Sequence, residues 1–265
     1  MRLEVIARES SAAGSRAPLL FVHGSCHAAW CWEPHFLDFF AGHGFSGYAV
    51  SLRGHGQSDG AERLRWASIS DYVCDVKQVE ATLPRPPVLI GHSLGGLVVQ
   101  KYLERRRAAG AVLLAPSPVG GMLRAGTALA LRHPMLFTNV YLTLNPGVLY
   151  STPAHVRAFL FSSNVSDEQI APYAKRMGRE SFRAAIEMTF NRPRADRIRS
   201  SRTPMLVLGA TEDAIVPPGA IEKTARAYGA PSKIFPGLGH DMMLEPGWEP
   251  VARHMLEWLE HLQQA

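Results

Sequence analysis

Cysteine is scarce in this sequence: its 265 residues include only Cys26, Cys31 and Cys74. So small and odd a number argues against a disulfide framework and favours a reducing compartment. No apolar run is long enough to span a bilayer, and the first residues, MRLEVIARESS, lack the basic-then-apolar pattern of a signal peptide. We therefore expect a soluble, cytoplasmic protein without a membrane span.

Lysine is also rare, so arginine supplies most of the formal net charge of +5. Nucleic-acid binding would need clustered basic residues together with exposed aromatic residues or a known motif. The densest basic cluster is Arg105, Arg106 and Arg107, which follows a helical pattern. At the end of a helix, cations complement the helix dipole. The sequence therefore predicts no nucleic-acid partner.

Two cysteines and two histidines nevertheless lie close together in LFVHGSCHAAWCW, residues 20–32. Structural zinc sites normally combine two tight pairs such as C-x2-C or H-x3-H. Only one cluster is present, because Cys74 stands alone. We expect no metal and no cofactor, with Cys26 and Cys31 as small buried residues and His27 as a hydrogen-bonding loop residue.

Short apolar or β-branched runs alternate with helical patterns along most of the chain. Continuously apolar runs such as PVLI and GAVLL are typical of strands buried on both faces. Strands that alternate with helices predict an α/β fold, with a mostly parallel central sheet and helices on both faces. The predicted strands are residues 3–7 (followed by a Ser/Gly/Ala turn), 18–22, 47–52, 87–90, 110–114, 204–208 and 232–235, and the clearest helices are 69–83 and 248–262.

One segment, residues 117–200, interrupts this alternation because it contains no strand-like run. A structureless loop of that length is implausible in a compact domain, so we predict several helices that form a cap, or lid. Residues 1–116 and 201–265 would then form the core. The segment holds 11 basic and five acidic residues, and the rest of the chain is close to neutral.

The motif G-x-S-x-G occurs at residues 91–95, GHSLG, after a strand-like run and before a helical pattern. This is the strand–turn–helix setting in which the motif presents a nucleophilic serine. Gly91 and Gly95 leave room for the sharp turn that exposes Ser93. The alternative, an ordinary glycine-rich turn, would place a serine in a strained position without a use.

A serine hydroxyl needs a base, and the base needs an orienting carboxylate. His240 follows the last predicted strand and is flanked by glycine, so it is the candidate base. Asp213 follows the preceding strand four residues before Pro217, and we favour it over the neighbouring Glu212 on that spacing. The order Ser93, Asp213, His240 is the one expected for this type of turn.

These motifs resemble those of capped α/β-hydrolase-fold proteins over nearly the full chain. The matching blocks, in the order of the family, are HG at 23–24, RGHGQS at 53–58, GHSLGG at 91–96, EDAIVP at 212–217 and GHDMMLEP at 239–246. HGSCHAAWCW and GHSLGG are also similar to the plant methylesterase and hydroxynitrile lyase group, and bacterial esterases and lactone hydrolases share the same blocks. The resemblance implies a Ser-His-Asp triad, an oxyanion hole and a helical cap, but it does not fix the substrate.

Some chemistries of this fold are disfavoured. The lyases use a lysine close to the catalytic histidine, whereas Asp241 follows His240 here and the nearest lysine is Lys233. Epoxide and haloalkane hydrolases of this fold use an aspartate nucleophile in place of a serine. We therefore expect a hydrolase that acts on a small-molecule carboxylic ester or lactone, small to medium in size and largely apolar, as a monomer or homodimer.

The expected mechanism is acyl transfer from Ser93 to water, with the oxyanion bound by the backbone N–H groups of Ser25 and Leu94. The arginine surplus of the predicted cap leaves open an anionic thioester substrate. Lyase, C–C bond hydrolase, cofactor-free perhydrolase and ligand-receptor functions also stay open. The candidate substrate-binding residues are Gly24, His92, Met122, Phe137 and Phe159, with Leu123, Tyr141 and Phe161 as further apolar candidates.

Overall fold

The structure is a computed structural model that describes residues 1–10 and 16–264. Seven strands form one sheet in the order β1-β3-β2-β4-β5-β6-β7, in which only β1 runs antiparallel to its neighbour. The strands are β1 (Val5–Arg8), β2 (Leu19–Val22), β3 (Gly47–Val50), β4 (Val88–His92), β5 (Gly110–Leu114), β6 (Met205–Ala210) and β7 (Ser232–Phe235).

Helices cover both faces of the sheet, as the alternating pattern predicts. Successive residues of β2 point to opposite faces: Phe21 packs in one apolar cluster with α1 and α11, while Leu20 and Val22 pack in the other with α2, α3 and α10. These helices are α1 (Phe36–Gly42), α2 (Ile69–Glu80), α3 (Leu94–Leu103), α10 (Pro218–Tyr228) and α11 (Trp248–Gln264).

Residues 117–200, called the insertion below, are all described, and none of them lies in a strand. They connect β5 to β6 through six helices: α4 (Leu123–Arg132), α5 (Pro134–Thr143), α6 (Pro153–Leu160), α7 (Asp167–Ala174), α8 (Phe182–Phe190) and α9 (Ala195–Ser200). Short 3-10 helices span Ala29–Trp32, Ala61–Trp66 and Pro146–Tyr150. Among the described residues, no helix is long and apolar enough to cross a membrane.

The predicted α/β architecture is confirmed, with small shifts at the strand ends. Pro87 and Pro204 lie just outside β4 and β6 because proline has no N–H to donate to the sheet. The predicted helix 69–83 ends at Glu80, and the predicted Ser/Gly/Ala turn falls on residues 11–15, outside the described residues. The carboxyl ends of the parallel strands meet at one edge, which is where the predicted site residues lie.

Candidate active site

Ser93 is the single residue between β4 and α3, and its backbone conformation is strained. Its φ of 51° and ψ of −114° are unusual for a residue with a side chain, at a cost of about 1–3 kcal/mol. Two hydrogen bonds to β5 and to the chain that follows it fix the turn. The Ser93 N–H donates to the Leu114 carbonyl at 3.0 Å, and the Ser93 carbonyl accepts from the Ser117 N–H at 3.1 Å. A Cβ at Gly95 would lie 2.3 Å from the Val22 carbonyl oxygen, so the helix can approach the sheet only with glycine there.

Asp213 and His240 form a buried pair at the ends of β6 and β7. The His240 Nδ1–H donates to Asp213 Oδ2 at 2.8 Å. The other oxygen, Asp213 Oδ1, accepts from the N–H groups of Ile215 and Val216, both at 2.8 Å, so the carboxylate is fixed from two sides. The neighbouring Glu212 is exposed and does not take part. This arrangement leaves His240 Nε2 free to accept a proton.

The electrostatics of His240 suit a base. Burial is the largest single influence and lowers the pKa of His240, but the Asp213 carboxylate and Asp241 together outweigh it, so the net shift of the pKa is upward. His92, next to Ser93 in the chain, has its Nε2 3.1 Å from the His240 carbonyl oxygen. Burial, followed by the neighbouring His240, lowers the pKa of His92 to about 3, so His92 is neutral and donates this hydrogen bond.

The loop at residues 23–27, called the HG loop below, follows β2 and lies against this turn. The Leu52 N–H donates to His23 Nε2 at 3.0 Å, so the ring hydrogen sits on Nδ1 and is donated to the Gly24 carbonyl at 2.8 Å. Burial lowers the pKa of His23 well below its ordinary value, which keeps this tautomer neutral. A Cβ at Gly24 would be 3.1 Å from Ser93 Cβ and 2.7 Å from His92 Nδ1. The His23 side chain therefore orients the Gly24 peptide, a role that the sequence did not predict.

Two backbone N–H groups at the Ser93 turn have no hydrogen-bond partner in the described part of the chain. Among residues 1–10 and 16–264, neither the Ser25 N–H nor the Leu94 N–H donates a hydrogen bond. The Gly24 carbonyl is engaged by His23, and in a trans peptide the N–H of Ser25 points the opposite way. The Leu94 N–H is the first of α3, where helix N–H groups have no intrahelical acceptor. These are the groups predicted to bind an oxyanion.

Asp241 is a completely buried carboxylate whose contacts the sequence did not predict. Its Oδ2 lies 2.9 Å from His27 Nε2, and His27 Nδ1 lies 2.8 Å from the Ser25 carbonyl oxygen. Burial raises the pKa of Asp241, but the three histidines around it outweigh this effect and the net pKa is lowered. Asp241 thus links the loop of the base to the HG loop. Its partner is 214 residues away in the sequence, so no local pattern predicts the contact.

Asp241 also belongs, with His92 and His240, to a cluster of side chains that could hold a metal ion. Ligand atoms of His92, His240 and Asp241 lie within 4.8 Å of one another. Hydrogen bonds already occupy one atom of each: His92 Nε2 with the His240 carbonyl, His240 Nδ1 with Asp213, and Asp241 Oδ2 with His27. The absence of a metal stays a prediction.

The predicted substrate-binding residues fall into different environments. Met122 and Phe159 are buried within the apolar clusters, and His92 is buried behind the turn. Phe137, on α5, is half-buried. Leu123 and Tyr141 are exposed. Contact of any of these residues with a substrate stays a prediction.

Glu245, which the sequence did not indicate as a site residue, connects the insertion to the loop that carries His240. Its Oε1 accepts from the N–H groups of Ser162 and Gly239, at 2.7 and 2.8 Å, and its Oε2 accepts from the Ser162 hydroxyl at 2.7 Å. Close by, the Asp241 N–H donates to the Leu160 carbonyl at 2.8 Å. The end of α6 therefore rests directly on the chain around His240.

Known proteins share this architecture. The chain is 25% identical over 269 residues to a monoacylglycerol lipase of Mycolicibacterium smegmatis, a match that covers 92% of this chain and 88% of the lipase. It is 28% identical over 252 residues to a non-heme haloperoxidase of Rhodococcus erythropolis, covering 86% and 87% of the two chains.

A solved structure of a thermophilic esterase from Thermogutta terrifontis superposes with a TM-score of 0.78 and 22% identity, over 98% of this chain and 94% of the esterase. That likeness shows the fold. The relatives together support a hydrolase with esterase-type activity. Residues 19–253 match the alpha/beta hydrolase family, and the chain belongs to that family.

Proposed function

We propose that this protein is a serine hydrolase that cleaves a carboxylic ester, or a lactone, through an acyl-enzyme on Ser93. The observation that carries the proposal is the buried His240–Asp213 pair, with an Nδ1–Oδ2 distance of 2.8 Å, beside the strained turn of Ser93. The neighbouring His92 contacts the His240 carbonyl at 3.1 Å, and a serine held in an unfavourable conformation near a histidine paired with a carboxylate suits nucleophilic catalysis.

In the proposed reaction, Ser93 Oγ attacks the ester carbonyl while its proton passes to His240 Nε2. The negative charge that develops on the carbonyl oxygen is bound by the N–H groups of Ser25 and Leu94. His240 then gives the proton to the leaving alcohol as the C–O bond breaks, and an acyl-enzyme forms. Water, deprotonated by His240, attacks the acyl group, and the acid is released as Ser93 recovers its proton. Asp213 keeps the His240 hydrogen on Nδ1 throughout.

The insertion serves as the cap in this proposal. Two hydrogen bonds support that position, since they put the end of α6 beside the base: the Asp241 N–H donates to the Leu160 carbonyl, and the Ser162 N–H donates to Glu245. The proposed substrate is largely apolar and small to medium in size. A thioester is a variant of the same chemistry.

Perhydrolysis is a second candidate, because one relative is named a non-heme haloperoxidase. In that reaction hydrogen peroxide, in place of water, attacks the acyl-enzyme, so that a peracid leaves and Ser93 recovers its proton. The residues required are the same, and the two functions differ only in the second nucleophile.

A panel of p-nitrophenyl esters with increasing acyl length, assayed with and without hydrogen peroxide, tests the proposal and ranks the two candidates. We expect hydrolysis of short to medium esters, with kcat lowered by a factor of about 10³ or more in Ser93→Ala. A Ser93→Ala variant with full activity, or failure of the native protein on every ester and thioester, would count against an acyl-enzyme on Ser93.

A further inference from the structure

Cys26, in the HG loop, has an unfavourable backbone conformation. Its φ is 64°, in the left-handed region that favours glycine, although its side chain is completely buried. Such a residue costs about 1–2 kcal/mol relative to an ordinary conformation, so surrounding contacts must fix it. Cys26 directly follows Ser25, whose N–H is the proposed oxyanion donor.

Both backbone groups of Cys26 are held by one short segment of the insertion. The Cys26 N–H donates to Glu180 Oε2 at 3.3 Å, and the Cys26 carbonyl accepts from the Gly178 N–H at 2.7 Å. The Glu180 contact joins residues 154 positions apart. The segment at residues 178–181 therefore binds both the N–H and the carbonyl of Cys26, on either side of the Cys26 Cα.

Glu180 is itself held in a fully partnered site between α7 and α8. Its side chain is buried, and its Oε1 accepts from the Tyr72 hydroxyl at 2.7 Å and from the Ser181 N–H at 2.6 Å. Its Oε2, which faces Cys26, is also 3.4 Å from His55 Nε2. The Tyr72 hydroxyl and the Ser181 N–H donate to Oε1 and the Cys26 N–H donates to Oε2, so these three donors require an acceptor on both oxygens.

The charge of this carboxylate is compensated. Burial raises the pKa of Glu180, but the nearby His55, the Tyr72 hydroxyl and the Ser181 N–H outweigh it and lower the pKa overall. Burial lowers the pKa of His55, but Glu180 and hydrogen bonds with the backbone together raise it, with a net rise. The two opposite shifts favour an ion pair between Glu180 and His55, whose facing atoms are 3.4 Å apart.

We propose that Glu180 is a positioning residue for the oxyanion hole: it holds Cys26 in its left-handed conformation and so aims the Ser25 N–H at the reacting carbonyl. The inference rests on the proposed function, because it assigns a use to the Ser25 N–H. Its consequence is that the insertion contributes to catalysis by fixing the HG loop, in addition to covering the substrate.

The direct test is Glu180→Gln in the full-length protein. A glutamine side chain has one acceptor oxygen, which the short bonds from Tyr72 and Ser181 would retain, so its NH₂ group would face the Cys26 N–H and the hydrogen bond would be lost. The matched control is Glu187→Gln. Glu187 also lies in the insertion and also accepts a core N–H, that of Ile69 at 2.8 Å, but its side chain is hydrogen-bonded to Ile69 and Arg183 and not to the HG loop.

The readout is the rate of p-nitrophenyl ester hydrolysis beside that of the matched thionoester, whose C=S group is a poor acceptor for oxyanion-hole donors. We expect Glu180→Gln to lower kcat by about 10- to 100-fold with little change in KM, because the lost interaction acts in the transition state. The preference for the oxygen ester over the thionoester should fall by a similar factor. Glu187→Gln should leave both quantities within about twofold of the native values.

Equal behaviour of Glu180→Gln and Glu187→Gln in kcat and in the ester preference would overturn the inference. If Glu180→Gln does not fold, Tyr72→Phe replaces it, since that variant removes one anchor of Glu180 and leaves the loop intact. A reduced ester preference in Tyr72→Phe would support the inference, and an unchanged preference would overturn it. A native protein that hydrolyses no ester would instead contradict the proposed function itself.

Discussion

At the scale of single residues, histidines and carboxylates of the same type have different roles because their surroundings in the fold differ. The chain has eleven histidines, and position after the last strand was enough to select His240 from the sequence. Spacing before Pro217 likewise selected Asp213, and the structure pairs these two residues. The sequence offered no such signal for Asp241, whose contact with His27 depends on the folded chain.

The pH dependence of activity follows from the state of His240. It acts as a base only when neutral, and its pKa is raised above the ordinary value of 6.5, so kcat/KM should fall as the pH decreases through a midpoint above 6.5. Asp213→Asn removes the carboxylate that raises the pKa. We expect the midpoint to move to lower pH and kcat to fall by a factor of about 10³ or more.

Rate profiles between pH 5 and 9 would measure this shift, with Asp38→Asn as the control. Asp38 also binds a basic side chain, Arg8, but at the exposed surface. Asp38→Asn should leave the profile unchanged. If the pH midpoint of kcat/KM is the same in Asp213→Asn as in the native protein, His240 is not the group whose protonation lowers the activity at low pH.

At the scale of elements, the strand–turn–helix around Ser93 depends on close contact between α3 and the sheet. Apolar runs and G-x-S-x-G were sufficient to predict β4, the turn and α3. They could not predict the HG loop, because its shape depends on the His23 side chain and on Cys26 held in a left-handed conformation. Local patterns report hydrogen bonds within elements better than those between distant loops.

Gly95→Ala should strongly destabilise this unit. The added Cβ would meet two backbone oxygens, of Val22 at 2.3 Å and of His23 at 2.5 Å, neither of which can move without displacing β2. We expect a loss of about 3 kcal/mol or more in the free energy of unfolding. Gly126→Ala is the control, since a Cβ there meets nothing within 4 Å, and it should be neutral or stabilising by up to about 1 kcal/mol. Denaturant titrations would separate the two, and equal stabilities would refute the close-packing argument.

At the scale of the whole molecule, the insertion is joined to the core by carboxylates that accept backbone N–H groups. Glu180 reaches the HG loop from the insertion, and Glu245 reaches Ser162 from the core. Composition and the absence of strand-like runs predicted a helical segment between two core strands, but not where it docks. The partners of these contacts are 154 and 83 residues apart, beyond the reach of any periodic pattern.

Glu245→Ala should weaken this docking. It would leave the N–H groups of Ser162 and Gly239 buried without an acceptor, at a cost of about 2–3 kcal/mol in unfolding free energy. Glu245→Gln should recover most of the loss, because the amide oxygen can replace Oε1 and the Ser162 hydroxyl can turn to accept from the NH₂ group. Thermal unfolding of the three proteins would check the order, and an alanine variant as stable as the glutamine variant would contradict it.

The central claim, that Ser93 is an activated nucleophile, is tested most directly by intact-mass measurement after reaction with a fluorophosphonate. The account predicts one covalent adduct per chain in the native protein, mapped to Ser93 by peptide analysis, and no adduct in Ser93→Ala. A native protein that remains unmodified, or an adduct that persists in Ser93→Ala, would contradict the claim.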